Sequence, residues 1–200
     1  MAKVDRPVYT WDMMIKQTQT NSLSAHDRIL LTAHDLFYAE GIRATGIDQI
    51  IKQAKVTKVT FYRHFPSKNT LIIAFLAYWH QRWMCWFTES IKRHGNTIDA
   101  LIPTLLEWFG SEQYRGCAFI NSVGEFGETM PRVIQLSQQH KHDMTKLVET
   151  LLPDSADKVS TANALALAID GAIICSQIEQ HPDSAIAGFK KIVRALTAKL

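Results

Sequence analysis

Between positions 57 and 68 the sequence sets Thr57, Lys58, Thr60, Tyr62, Arg63, His64 and Lys68 close together, with no carboxylate among them. Hydroxyls and cations of this kind donate hydrogen bonds to phosphate oxygens and to the acceptor edges of bases in a major groove. The wider run from Lys52 to Lys68 holds five cations, Lys52, Lys55, Lys58, Arg63 and Lys68, again without an acid. Residues 72–200, in contrast, carry 12 basic and 13 acidic side chains. A compact basic segment beside a near-neutral remainder is the electrostatic footprint of nucleic-acid contact, although a solvated basic face gives the same charge count. The surrounding pattern decides between the two.

That pattern is three short helices in fewer than fifty residues. Ser24 with Asp27 forms a capping signature, followed by Ile29, Leu30, Ala33, Leu36 and Phe37 at helical spacing and a stop at Gly41. Thr45 with Asp48 repeats the signature and opens a helix that buries Ile47, Ile50, Ile51 and Ala54. Lys55-Val56 makes a tight turn, and Thr57 caps a third helix that Pro66 ends. Val56, Val59, Phe61 and Phe65 are expected inside, which leaves Thr57, Lys58, Thr60, Tyr62, Arg63 and His64 for outward display. Two helices joined by so short a turn make a helix-turn-helix. Tyr62 suits a core or a surface position equally, and His64 has a plain packing or capping reading beside the DNA one. Lys68 at a helix start opposes the helix dipole, so a phosphate contact explains it better than stability does.

The run from Arg28 through Ala33, Leu36-Phe37, Gly41, Ala44-Thr45-Gly46-Ile47, Ile50, Ala54-Lys55-Val56-Thr57, Thr60-Phe61-Tyr62-Arg63-His64-Phe65-Pro66-Ser67-Lys68 and Leu71 resembles the DNA-binding domain of TetR/AcrR-type regulators. The likeness covers about 45 residues at fixed spacing. It implies that Thr45, Thr57, Lys58, Thr60, Tyr62, His64 and Lys68 contact operator DNA, with Tyr62, His64 and Lys68 on the backbone and positions 57, 58 and 60 reading bases. Arg63 joins the set by its own outward position. One departure stands out: Lys55 occupies the turn position where such proteins usually carry glycine. A left-handed backbone there costs a side chain on the order of 1 kcal/mol.

Stepping past this segment, 200 residues with 46% apolar and 20% charged composition suffice for a globular core. The expected organisation is an N-terminal arm over 1–23, a DNA-binding domain over 24–70, and a helical ligand-binding and dimerisation domain over 71–200. Ser67 caps a long helix to about His94, broken by Gly95-Asn96, and further helices are expected near 97–109, 118–126, 131–152, 156–179 and 184–199. No stretch alternates β-branched residues, so the fold is expected to be all-α. Cys85, Cys117 and Cys175 are odd in number and widely spaced, which fits reduced thiols in a cytoplasmic protein. The longest apolar run, Leu71 to Trp79, is too short for a membrane span, and the start of the chain carries no apolar segment of signal-peptide type. No membrane partner is expected.

The second half is rich in aromatic residues. Aromatic stripes usually mean core, yet Trp83, Phe87, Trp108 and Phe119, with Asn121 and Glu125 as polar anchors four residues apart, also suit a cavity for a largely apolar small-molecule effector. Tyr114-Arg115-Gly116-Cys117-Ala118-Phe119-Ile120-Asn121 with Glu125 resembles a segment at the start of the sixth helix in one subgroup of the same family. His140, His142 and Asp143 are spaced so that they point to different helix faces, so no metal is expected, and nothing implies a cofactor. The last two helices are apolar over a wide arc through Ala162, Ala166, Leu167, Ile169, Ala172, Ile173, Ile174, Ile186, Phe189, Ile192 and Val193, which predicts a homodimer. Two reading helices about 34 Å apart then fit a palindromic operator. The resemblance implies a repressor released by its effector. No P-loop, HExxH, GxSxG or CxxC is present, so an enzyme is not expected. A small helical adaptor that does not bind DNA is the alternative, and it leaves the acid-free segment without a purpose.

Overall fold

The computed structural model describes residues 23–198. The expected arm over 1–23 therefore lies outside the described residues except for Leu23. Among the described residues there are nine α-helices and no strand. They are α1 (Ala25–Glu40), α2 (Ile47–Gln53), α3 (Lys58–His64), α4 (Lys68–Arg93), α5 (Leu101–Phe109), α6 (Ala118–Phe126), α7 (Pro131–Thr150), α8 (Lys158–Glu179) and α9 (Asp183–Thr197), with one 3-10 turn at Ile98–Ala100 before α5.

The helix ends follow local chemistry. The Ser24, Thr57 and Ser67 hydroxyls each accept the backbone N–H three residues on, from Asp27, Thr60 and Thr70, at 3.1 Å. Gly41 ends α1 with φ +90°, a backbone open to glycine and penalised for other residues. Pro131 begins α7, where its missing N–H is no loss. One expected cap is different. Thr45 does not cap α2, whose N-cap is Gly46 without a side-chain bond. The Thr45 side chain is instead fully buried, and its hydroxyl donates to the Gly41 carbonyl at 2.8 Å. It ties the α1–α2 loop to itself.

Lys55 lies between α2 and α3 at φ +52°. The turn keeps its left-handed geometry although a β-carbon is present. Relieving the left-handed penalty gains about 1–2 kcal/mol, while the looser unfolded chain of glycine returns roughly 0.5–1 kcal/mol of it. The first effect is the larger, so Lys55→Gly is expected to raise stability by about 0.5–1 kcal/mol. A lower urea midpoint at unchanged m-value would contradict the left-handed assignment.

One continuous core runs through the molecule. α4 is its axis: Leu71, Ile72, Phe75, Leu76 and Trp79 pack against α1, while Trp83, Trp86 and Phe87 pack further along against α5 and α7. α8 is long and apolar enough to cross a membrane by length and composition alone. Its composition has a reason within the fold: Leu165, Ile169, Ala172 and Ile173 are buried in the core, while Leu167 and Ile178 are exposed on the other side.

Candidate nucleic-acid interface

The helix-turn-helix is held from within by apolar contacts and one cation. Ile29, Ala33 and Phe37 of α1, Ile50 of α2 and its C-cap Ala54, and Phe61 and Phe65 at and just beyond α3 are all buried. Arg28 fastens the far end, its Nε donating to the Ala54 carbonyl at 3.1 Å and its Nη1 to the Leu23 carbonyl at 2.9 Å. His26 lies flat on Phe65, 4.9 Å between ring centres, and meets His64 edge-on at 5.9 Å. The pose of α3 is thus fixed on the side that faces the protein.

Away from the protein α3 exposes Lys58, Val59, Tyr62 and Arg63, with the N-cap Thr57 and His64 exposed at the edges of this face and Thr60 half-buried. The Thr57 and Thr60 hydroxyls are 2.8 Å apart and bonded to each other. Lys68 begins α4 with its ammonium 5.9 Å from the centre of the Phe37 ring. Partial burial lowers its pKa from the ordinary lysine value, and the field of Glu125 opposes that shift. No carboxylate of α3 interrupts this surface. Of the expected DNA-contacting residues, Thr57, Lys58, Thr60, Tyr62, Arg63 and His64 lie on or beside α3, Lys68 begins α4 with its ammonium over Phe37, and the Thr45 side chain is buried.

Val59 departs from expectation in the other direction. It was expected inside and is instead 70% exposed. The register explains why: two residues from Phe61 is a rotation of about 200° on an α-helix, so a buried Phe61 sends Val59 outward. Helical spacing from Phe61 and Phe65 is the signal that would have found it.

A second feature lies where α1, α6 and the C-terminal end of α8 meet. It is a cleft of about 1070 Å³ whose walls include Glu40, Glu112, Asn121 and Glu125, with Gln177 and His181 at the α8 end. The Arg115–Gly116 turn at its edge is stitched to three helices. Tyr38 of α1 donates to the Gly116 carbonyl at 3.1 Å and accepts the Arg115 N–H at 3.0 Å. Asn121 of α6 and Gln177 of α8 both donate to the Arg115 carbonyl, at 3.0 and 3.3 Å. Tyr114 donates to the Ile173 carbonyl at 2.8 Å. Burial raises the pKa of both the Tyr38 and the Tyr114 phenol, which keeps them donors. Gly116 has φ +79°, a backbone that favours glycine, and a β-carbon there would also fall 2.3 Å from the Gln177 side-chain oxygen and push that side chain aside.

The expected effector residues divide accordingly. Asn121 and Glu125 line the cleft. Trp83, Phe87, Trp108 and Phe119 do not line it, although Phe119 borders a smaller apolar groove with Ile120, Val123 and Ile134. All four are buried and fill the space between helices: Trp83 stacks on Phe87 at 4.5 Å and meets Trp108 edge-on at 5.5 Å. Phe119 stacks on His140 at 3.9 Å. Burial pushes His140 well below the ordinary histidine pKa, so it sits in this core as a neutral ring. His142 is exposed, while Asp143 turns toward His80 at 3.5 Å.

A helix-turn-helix at the head of an all-helical chain, with a cation-bearing face and a separate cleft behind it, defines a DNA-binding regulator. Residues 29–75 match the profile of the bacterial regulatory proteins of the tetR family. UidR, an HTH-type transcriptional regulator of Escherichia coli, is 23% identical over 190 residues, covering 92% of this chain and 96% of its own. QacR of Staphylococcus aureus is 32% identical over 75 residues, covering 37% of this chain and 40% of its own. The crystal structure of SCO4454, a TetR-family transcriptional regulator from Streptomyces coelicolor, superposes with a TM-score of 0.74 at 29% identity, over 86% of this chain and 96% of that one. Residues 29–75 are therefore a tetR-family DNA-binding domain, and the chain as a whole is similar to TetR-family transcriptional regulators, which are not enzymes.

Proposed function

We propose that this protein is a cytoplasmic repressor that binds a palindromic operator as a homodimer and releases it when a small molecule binds. The reading head is residues 24–70, and residues 71–200 sense and pair. The carrying observation is the exposed, carboxylate-free face of α3, held from behind by buried Phe61 and Phe65. Thr57, Lys58 and Thr60 at the N-terminal end of α3 read base edges, and Val59 adds apolar contact with a thymine methyl group. Tyr62, Arg63, His64 and Lys68 hold phosphates on either side. Effector binding is assigned to the cleft beside Asn121 and Glu125, whose carboxylates and amides favour a polar, hydrogen-bonding molecule over a purely apolar one. Pairing is assigned to the exposed stripe Leu167, Ile174 and Ile178 on α8 with Ile192 on α9.

The test is selection of bound sites from random duplex DNA, followed by anisotropy titrations of the enriched site. Lys68→Ala is expected to weaken binding to every sequence and to lower the salt slope by about one. Lys58→Ala and Val59→Ser are expected to change which base is preferred, each by about 1–3 kcal/mol of discrimination. Unaltered affinity, slope and preference in all three variants would remove the assignment of α3 as the reading helix.

A further inference from the structure

One carboxylate joins the two halves of the molecule. Glu125, in the last turn of α6, accepts the Ile42 N–H through Oε1 at 3.3 Å and the Arg43 N–H through Oε2 at 2.8 Å. Arg43 answers by donating Nη2 to the Glu125 carbonyl at 2.5 Å, and its guanidinium lies 5.4 Å from the centre of the neighbouring Phe126 ring. Ile42 and Arg43 belong to the loop between α1 and α2, the segment that sets α2 against α1. Buried Thr45 ties the near side of that loop to Gly41, and Glu125 ties its outer side to α6. The same carboxylate lines the cleft, as do Gly41 and Ile42. Anything lodged in the cleft therefore meets the atoms that hold the loop.

We infer that Glu125 is a positioning residue for operator binding: it clamps the α1–α2 loop to α6 and so fixes the reading head on the sensing domain. The inference rests on the regulator reading above and deepens it, since it names the joint through which the cleft acts on the head. Glu125 makes no hydrogen bond to the base-reading residues Thr57, Lys58 and Thr60, although its field reaches Lys68. Its effect is geometric: a head held at one angle is already ordered before its partner head engages the second half-site, whereas a loose head must be ordered on binding. Two charge-assisted bonds to backbone N–H groups give the clamp its strength.

Charge and geometry predict opposite signs, which makes the joint testable. A negative charge beside a DNA-binding surface repels phosphate, so deleting it should by charge alone strengthen binding. The joint predicts the reverse: Glu125→Ala weakens affinity for the selected operator by about tenfold with the salt slope unchanged, because no phosphate contact is lost. Glu125→Gln keeps one acceptor oxygen but loses the charge and turns its amide NH2 toward the second backbone N–H, so its affinity falls between wild type and the alanine variant. Glu125→Asp keeps the charge and retracts it, and it weakens binding as the alanine variant does. Circular dichroism and light scattering establish that each variant is folded and of wild-type size. Should Glu125→Ala fail to fold, Glu125→Asp decides on the same reading. Equal or tighter operator binding by the folded alanine or aspartate variant overturns the inference. A wild-type protein that binds no duplex at low salt overturns the regulator reading instead, so the two failures are distinguishable.

Discussion

Leu167→Glu is expected to turn the protein into monomers and to lower operator affinity by at least about a hundredfold, the scale on which linked binding exceeds single-site binding. Leu167 is 74% exposed on α8, and Ile178, three turns along, is 75% exposed. Gly171 and Ile174 lie between them on the same face of the helix, and nothing stands within 4 Å of a β-carbon placed on Gly171. A stripe of this kind lets a second helix approach closely, and twofold pairing brings the same residues of each copy together. A glutamate at 167 would then face its own symmetry mate in an apolar seam, uncompensated and close to a like charge. The folded monomer loses nothing, because the side chain faces away from the core. Sedimentation and anisotropy should therefore change together while the circular dichroism spectrum does not. A Leu167→Glu protein that stays dimeric would move the pairing surface elsewhere.

Loss of pairing costs so much affinity because each α3 presents only a handful of donors. One reading head on one half-site has few base contacts, and the second half-site is engaged at the high local concentration set by the dimer. The same logic makes the head's angle matter and links the α8 seam to the Glu125 joint. In the proposed assembly the seam would set the spacing of the two halves, and the Glu125 joint would set how firmly each head follows its half.

Much of this architecture is written locally in the sequence. Ser24, Thr57 and Ser67 announce helix starts because a hydroxyl three residues before an N–H is a short-range geometric fact. Gly41, Gly95, Pro66 and Pro131 mark ends and beginnings for equally local reasons. Lys55 at φ +52° shows a turn overriding residue preference, legible only because the surrounding spacing demands a turn there. The misplacements are those that needed tertiary information. Thr45 has the residue type of a cap, and only the approach of the loop to Gly41 turns its hydroxyl inward. Val59 is the exception: it has the composition of a core residue, and its outward position was already legible from the helical spacing to Phe61 and Phe65. Glu125 lines the cleft as its spacing from Asn121 suggests, but its hold on the α1–α2 loop is not legible in the sequence. Its partners Ile42 and Arg43 lie more than eighty residues earlier, and backbone N–H groups leave no trace in a sequence.

The aromatic residues of the second half pose the sharpest choice between filled core and open cavity, and Trp83 decides it. Its ring is 1% exposed, stacked on Phe87, edge-on to Trp108, and 4.9 Å from the His140 ring centre. Removing a tryptophan from such packing costs about 3–5 kcal/mol, lost transfer energy plus the unfilled cavity. Domains of this kind are stable by about 5–15 kcal/mol, so Trp83→Ala should lose a large part of the margin and lower the urea midpoint steeply. Trp83→Phe should cost much less. Most of the apolar area is kept, and the buried indole N–H, which has no hydrogen-bond partner among the described residues, is removed. A ring lining an open cavity behaves differently: its truncation enlarges the void at little cost and changes which molecules bind. A Trp83→Ala protein destabilised by less than about 1 kcal/mol would show that the rings line a space rather than fill one, and would return the effector site to the aromatic cluster.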